Sequence, residues 1–163
     1  MPKDKNNPPP GSIPVRTSAV CAYIFRRGAD GPQFLVLKRQ SQYMFGLWQQ
    51  VGGKVESGEK GTTAILREIK EETGVIPQSL YSVDIVESFY DINHGNIHII
   101  PVFVAEFAPT AEVVLSNEHS EYKWVSLAEA KELLVFTQQR ASLDIIDREF
   151  IRKEPPPQLK VEF

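Results

Sequence analysis

Apolar positions along the chain recur with two periods. Val15–Phe25 is a β-branched and apolar run, and the turn-rich RRGADGP separates it from Gln33–Arg39, predicting strand, loop, strand. Leu80–Tyr90 and Ile97–Phe107 form a second pair, joined by DINHGN, and predict a long antiparallel hairpin. Between the pairs, residues 62–73 carry a helical period, with Ile65, Leu66 and Ile69 as the apolar stripe and Gly74 placed to end the helix in a left-handed cap. Val113–Val125 predicts a short strand. Ser126 and Glu129 make a capping box for one helix, and Thr137 is the expected cap of another reaching Phe150. Gln40–Gln50 is aromatic without a period, as expected of a loop over a pocket. Residues 1–12 have almost nothing to bury and predict a mobile arm, with packing against a partner subunit as the alternative. From Lys153 the Pro-rich tail is expected to lie extended. One sheet with helices on both faces accommodates residues 13–152, an α+β domain.

With 163 residues, 42% of them hydrophobic, the chain is long enough for one core without disulfides. A formal charge of −3 with dispersed cations offers no groove for a nucleic acid polymer, so a small-molecule partner is expected. Cys21 is the only cysteine and sits in AVCAYIF, which suits a buried structural thiol and a reducing, cytoplasmic setting. No run of about 18 apolar residues is present, so no membrane association is expected. A homodimer is left open.

The acids of the 62–73 helix change the picture. Glu68, Glu71 and Glu72 fall within an arc of about 100° on one helical face. An acidic helical run is ordinarily a solvated face. Three carboxylates sharing one patch nevertheless repel one another unless a cation sits on them, and with no Cys/His cluster nearby the suited ion is Mg²⁺ or Mn²⁺. Arg67 is placed to pair with Glu71 one turn on. The metal face is expected outward and the apolar stripe inward.

Around that helix Gly53, Glu59, Arg67, Glu68, Ile69, Glu71, Glu72, Gly74 and Val75 fill every specified place of G-x5-E-x7-R-E-U-x-E-E-x-G-U, U being a bulky aliphatic. This resembles the Nudix box, the signature of Nudix hydrolases. The resemblance implies an α/β/α sandwich with a mixed sheet, and divalent-metal-dependent hydrolysis of a diphosphate linkage. It implies that the Gly52 carbonyl joins Glu68, Glu71 and Glu72 in the metal shell, and that Glu59 and Arg67 fix the loop to the helix as structural support. Glu118, in NEHSEYKW, matches a loop glutamate that several members add to the metal shell. Glu68 is the first choice for the general base and Glu118 the second, with Glu71 also in the catalytic set. Arg39 closes the second strand, where family members hold substrate phosphates; Arg16 opens the first, and either arginine also reads as a solvated strand end. Trp48 is a core residue or a pocket wall, and Lys54 touches phosphate or faces water. Tyr90 is placed to stack a base if its side of the strand faces the pocket. His94 and His98 read as structural or solvated.

The stretch EHxxYKW, with QQRASLDIIDREF beyond it, is similar to a subgroup of dihydroneopterin triphosphate and dATP pyrophosphohydrolases. It is also similar to the asymmetric diadenosine tetraphosphate hydrolases. These resemblances rank a nucleoside or pterin triphosphate, cleaved to monophosphate and pyrophosphate, ahead of a dinucleoside polyphosphate. Oxidised dGTP and nucleotide sugars stand further back, as does a non-catalytic nucleotide-binding regulator.

Overall fold

The structure is a computed structural model and describes residues 9–163. The expected arm lies mostly outside the described residues; within them, Ser12 closes a turn onto the Pro9 carbonyl. Eight strands form one mixed sheet. They are β1 (Val15–Arg16), β2 (Ala19–Gly28), β3 (Gly31–Arg39), β4 (Trp48–Gln49), β5 (Val51–Lys54), β6 (Ser79–Asp91), β7 (Asn96–Glu106) and β8 (His119–Val125). The helices are α1 (Gly61–Thr73), α2 (Leu127–Leu133) and α3 (Thr137–Ile146).

The strand expected from Val15 to Phe25 is broken between Arg16 and Ala19. The short β1 pairs in parallel with β7, and β2 runs parallel to a later part of the same strand. Two antiparallel partners share the other edge of β2. Ile24–Gly28 pairs with β3, and Ala19–Ala22 with β5. That division opens the sheet beside Gly52 and Gly53. The aromatic stretch read as a loop ends in β4, which pairs with β3 and leads directly into β5, because Arg39 and Leu47 close a turn between them.

Alternation along the central strands builds two cores. Val20, Ala22, Ile24, Leu35 and Leu37 face α1, whose Ala64, Ile65 and Ile69 are fully buried; burial of each isoleucine contributes about 1.5–3 kcal/mol. Leu66 is only partly buried, so the stripe is narrower than its spacing predicts. Cys21, Tyr23, Phe25, Val102 and Val104 face Ala130 of α2, Leu134 at its C-cap, and Leu143 and Ile146 of α3. Cys21 is buried, as expected.

Gly74 ends α1 at φ 71°, donating to the Lys70 carbonyl. Ser126 and Glu129 form the capping box of α2. Helix α3 starts one residue earlier than expected: Phe136 is its N-cap, and its N–H donates to the Gln139 side chain. Its last turn, Asp147–Ile151, widens into a π-turn before Arg152. The tail is not simply extended. Pro157–Leu159 makes a single 3₁₀ turn, after which Val161 donates to the Leu80 carbonyl at 2.9 Å on the edge of β6.

Candidate functional site

Helix α1 lies across β5, and its acids occupy three depths. Glu71 is largely exposed, Glu68 is mostly covered, and Glu72 is 3% exposed. The expected outward metal face is therefore half sunk, because the arc that carries Glu72 also faces the sheet at β5, beside the point where β3 and β5 part along β2.

Arg67 organises the entry to this helix. Its Nε and Nη2 donate to the two Glu59 oxygens at 3.0 Å each, and Nη2 also reaches the Lys54 carbonyl at 2.8 Å. Its Nη1 donates to Glu68 at 2.7 Å and to Glu71 at 3.4 Å. Glu59 in turn accepts the Glu56 N–H, so one planar guanidinium ties the glycine loop to the helix. Those donors hold the Glu59 carboxyl below its usual range.

Gly53 sits under this arrangement. A methyl built there would come within 2.5 Å of Glu68 Oε2 and closer still to Cδ and Oε1. Glycine is required by that close approach and not by a left-handed backbone.

Glu118 arrives from the other side. The Gln40 N–H donates to the Glu118 carbonyl at 2.9 Å and the Gln40 side chain to Asn117 O at 2.6 Å, pinning this loop to the end of β3. Arg39 Nη2 lies 4.0 Å from Glu118 Oε2, while its Nε donates to the Tyr43 carbonyl. His119, given no role by its sequence context, is buried opposite Arg39 in the β3–β8 register, with Nδ1 unpaired among the described residues. Burial first, then the Arg39 charge, lowers its pKa.

The acids show the electrostatic consequence. Burial, the Glu68 and Glu118 charges push Glu72 up to about 8 against the pull of Arg39 and the Gly52 N–H. Burial also raises Glu68, outweighing Arg67. Glu72 Oε2 is enclosed and has no hydrogen-bond partner among the described residues. An enclosed carboxylate oxygen with other carboxylates beside it fits a hard divalent cation, since such an ion supplies the missing partner and offsets the repulsion. Among the described residues no three His, Cys, Asp or Glu side chains already converge as a metal cage. Arg67 Nη1 holds Glu68 and Glu71 at the edge of this patch.

The remaining expected residues are spread out. Trp48 is half-buried with Lys123 Nζ 4.8 Å and Lys38 Nζ 5.7 Å from its ring centroid, and it packs against the α2/α3 core. Lys54 is exposed at the end of β5. Arg16 is exposed opposite His98, and no ion pair among the described residues joins it to the acids. Tyr90 is exposed, and His94 and His98 gather on Asp91 at the hairpin tip.

A family model of the NUDIX domain matches residues 15–152. The chain belongs to the Nudix family. A Myxococcus xanthus protein named octanoyltransferase is 31% identical over 130 residues, 76% of this chain; the chain spans only 34% of that protein. The asymmetrical bis(5′-nucleosyl)-tetraphosphatase of Caenorhabditis elegans is 31% identical over 108 residues, covering 66% of this chain and 77% of that one. The crystal structure of a C. elegans Ap4A hydrolase binary complex matches with a TM-score of 0.71 at 25% identity, over 82% of this chain and 96% of that one. The three-layer arrangement around α1 is thus the Nudix fold, and Nudix hydrolases generally use divalent metal cations. No helix among the described residues is long and apolar enough to cross a membrane.

A second group of polar residues falls outside the site residues read from the sequence. Glu87 is buried on β6 and accepts hydrogen bonds from the Tyr23 and Ser142 hydroxyls. Its signal is a lone acid at the alternate position that follows the in-facing Val83 and Ile85.

Proposed function

We propose that this Nudix pyrophosphohydrolase cleaves a diphosphate linkage in a nucleoside polyphosphate. The observation that carries the reading is the sunken Glu72 with its unpaired oxygen, beside Glu68 and Glu118 and within the influence of Arg39. Glu68, Glu71, Glu72, Glu118 and the Gly52 carbonyl would hold Mg²⁺ or Mn²⁺. Bound there, such ions neutralise phosphoryl oxygens and acidify an attacking water. Glu68 accepts the water's proton: burial raises its proton affinity, while Arg67 opposes that rise and orients the carboxylate. Glu118 is the second choice, being exposed at the rim. Arg39 takes a phosphate of the substrate's polyphosphate chain, since its planar donor set can exchange Glu118 for phosphate oxygens.

The subgroup resemblances of the sequence rank a triphosphate first. The tetraphosphatase relatives move a dinucleoside tetraphosphate ahead of it, cleaved asymmetrically to mono- and triphosphate. Incubation with Mg²⁺ and, separately, diadenosine tetraphosphate, dATP, dGTP and dihydroneopterin triphosphate, followed by anion-exchange chromatography, tests the order. AMP plus ATP from the first is the expected result; monophosphate plus pyrophosphate from a triphosphate restores the other substrate class. Binding without any product would leave a regulator. E71Q is expected to fold normally and lose most turnover, and wild-type activity in E71Q would sink the assignment of Glu71.

A further inference from the structure

On the sheet face away from α1, register places four residues in one row. Glu87 lies opposite Ile100, and Ala19 opposite Lys54. Continuing the β2–β7 pairing back from Cys21↔Val102 brings Ala19 level with Ile100. The row therefore runs from Glu87 to the strand that carries Gly52 and Gly53. At the usual spacing of neighbouring strands its length is about 14 Å, within the span of a nucleoside monophosphate.

Helix α3 covers only one end of this face. Ser142 and Gln139 are buried over it, and Gln138 accepts the Ser88 N–H at 3.3 Å where the helix meets the edge of β6. Ala19 and Ile100 are only half-buried, while Lys54 and Phe89 are exposed. The middle of the row is thus an open, apolar floor. One row further on, Phe89 and His98 stack with centroids 5.0 Å apart and planes at 8°, presenting a flat aromatic surface.

Glu87 closes the covered end. It is 5% exposed, and both hydroxyls that hold it converge on Oε1, from Tyr23 and, at 2.7 Å, from Ser142. Oε2 accepts no hydrogen bond from the described residues and is not fully enclosed. Burial raises this carboxyl's pKa and the two hydroxyls oppose it. With Oε1 held by two hydroxyls and Oε2 reachable and free of donors from the described residues, the carboxylate keeps one acceptor that a ligand can take.

We infer that Glu87 reads the base of the substrate, its Oε2 accepting from an exocyclic amino group of a base lying on the Ala19–Ile100 floor. The inference rests on the nucleotide reading of the preceding section. It predicts preference for amino bases over their keto counterparts, because a keto oxygen facing Oε2 leaves two acceptors opposed. Phosphates then run along the row towards Lys54 and the glycine pair.

Titration calorimetry with the full chain and Mg²⁺, comparing AMP with IMP and CMP with UMP, reads the exchange of one amino for one keto group. Wild type is expected to bind the amino member at least tenfold more tightly. In E87Q the amide oxygen still serves Tyr23 and Ser142 while an NH₂ takes the place of Oε2, so the ratio narrows or reverses. E87D, which withdraws the carboxylate by one methylene, is expected to narrow it as well and stands in if E87Q does not fold. Equal affinities within each pair in wild type overturn the inference, as does an unchanged ratio in a variant that melts like wild type. Binding is read apart from turnover, so failure to hydrolyse any nucleotide would overturn the proposed reaction without touching this result.

Discussion

Replacing Glu72 by Gln is expected to stabilise the metal-free protein while removing its response to metal. Glu72 is 3% exposed, and burial followed by the Glu68 and Glu118 charges moves it from an ordinary 4.5 up to about 8. An acid whose pKa is raised on folding contributes fully below its unfolded value and loses that contribution as pH rises towards the folded value. At pH 7 the loss is about 3 kcal/mol, and at pH 5 about 1 kcal/mol. E72Q keeps the shape and an oxygen for the Gly52 N–H, and it sheds the titration. In EDTA its melting temperature should exceed that of wild type by about 6–12 °C at pH 7, with the gap shrinking as pH falls to 5. Saturating Mg²⁺ should raise the wild-type melting temperature and leave E72Q nearly unmoved, because the enclosed oxygen is gone. Thermal melts by circular dichroism across pH 5–8, with EDTA or Mg²⁺, read both effects. An E72Q protein less stable than wild type in EDTA at pH 7, or one with an undiminished Mg²⁺ shift, would refute the reasoning.

G53A places a methyl against the Glu68 carboxylate, which Arg67 holds at 2.7 Å. The carboxylate is a side-chain end and can move, so the fold should survive while kcat falls about 100-fold; unchanged turnover would show that Glu68's position is immaterial. R67K keeps the charge but loses the planar fork that reaches Glu59, Glu68, Glu71 and Lys54 O. Its kcat should drop about tenfold or more and its melting temperature should fall, with a wild-type profile in both counting against Arg67 as the tie between loop and helix. V161P removes the donor to the Leu80 carbonyl and should cost about 1–2 kcal/mol in urea unfolding, with activity per folded molecule intact. A loss of activity greater than that of stability would give the tail a role beyond covering the edge of β6.

The sequence by itself determined the α+β order, the position of α1, its left-handed cap at Gly74 and the family. These follow from local periodicity and from a spacing in which nearly every place is chemically constrained. The resemblance of its motif also implied that Glu59 and Arg67 tie the loop to the helix, as the structure has them. Only the tertiary structure decided the depth of each carboxylate: Glu72 and Glu71 are adjacent in the chain, yet one is sunk against the sheet and the other faces water. The break at Arg16, the pairing of β4 and β5, and the docking of the tail on β6 were likewise out of reach, since each depends on which strand edge is left free after the long pairings form. The Glu118 loop reaches Arg39 through Gln40, about eighty residues away in sequence. Glu87, Tyr23 and Ser142 come from three distant segments whose polar residues look incidental one at a time. Long-range register, which no local pattern encodes, brings their oxygens together.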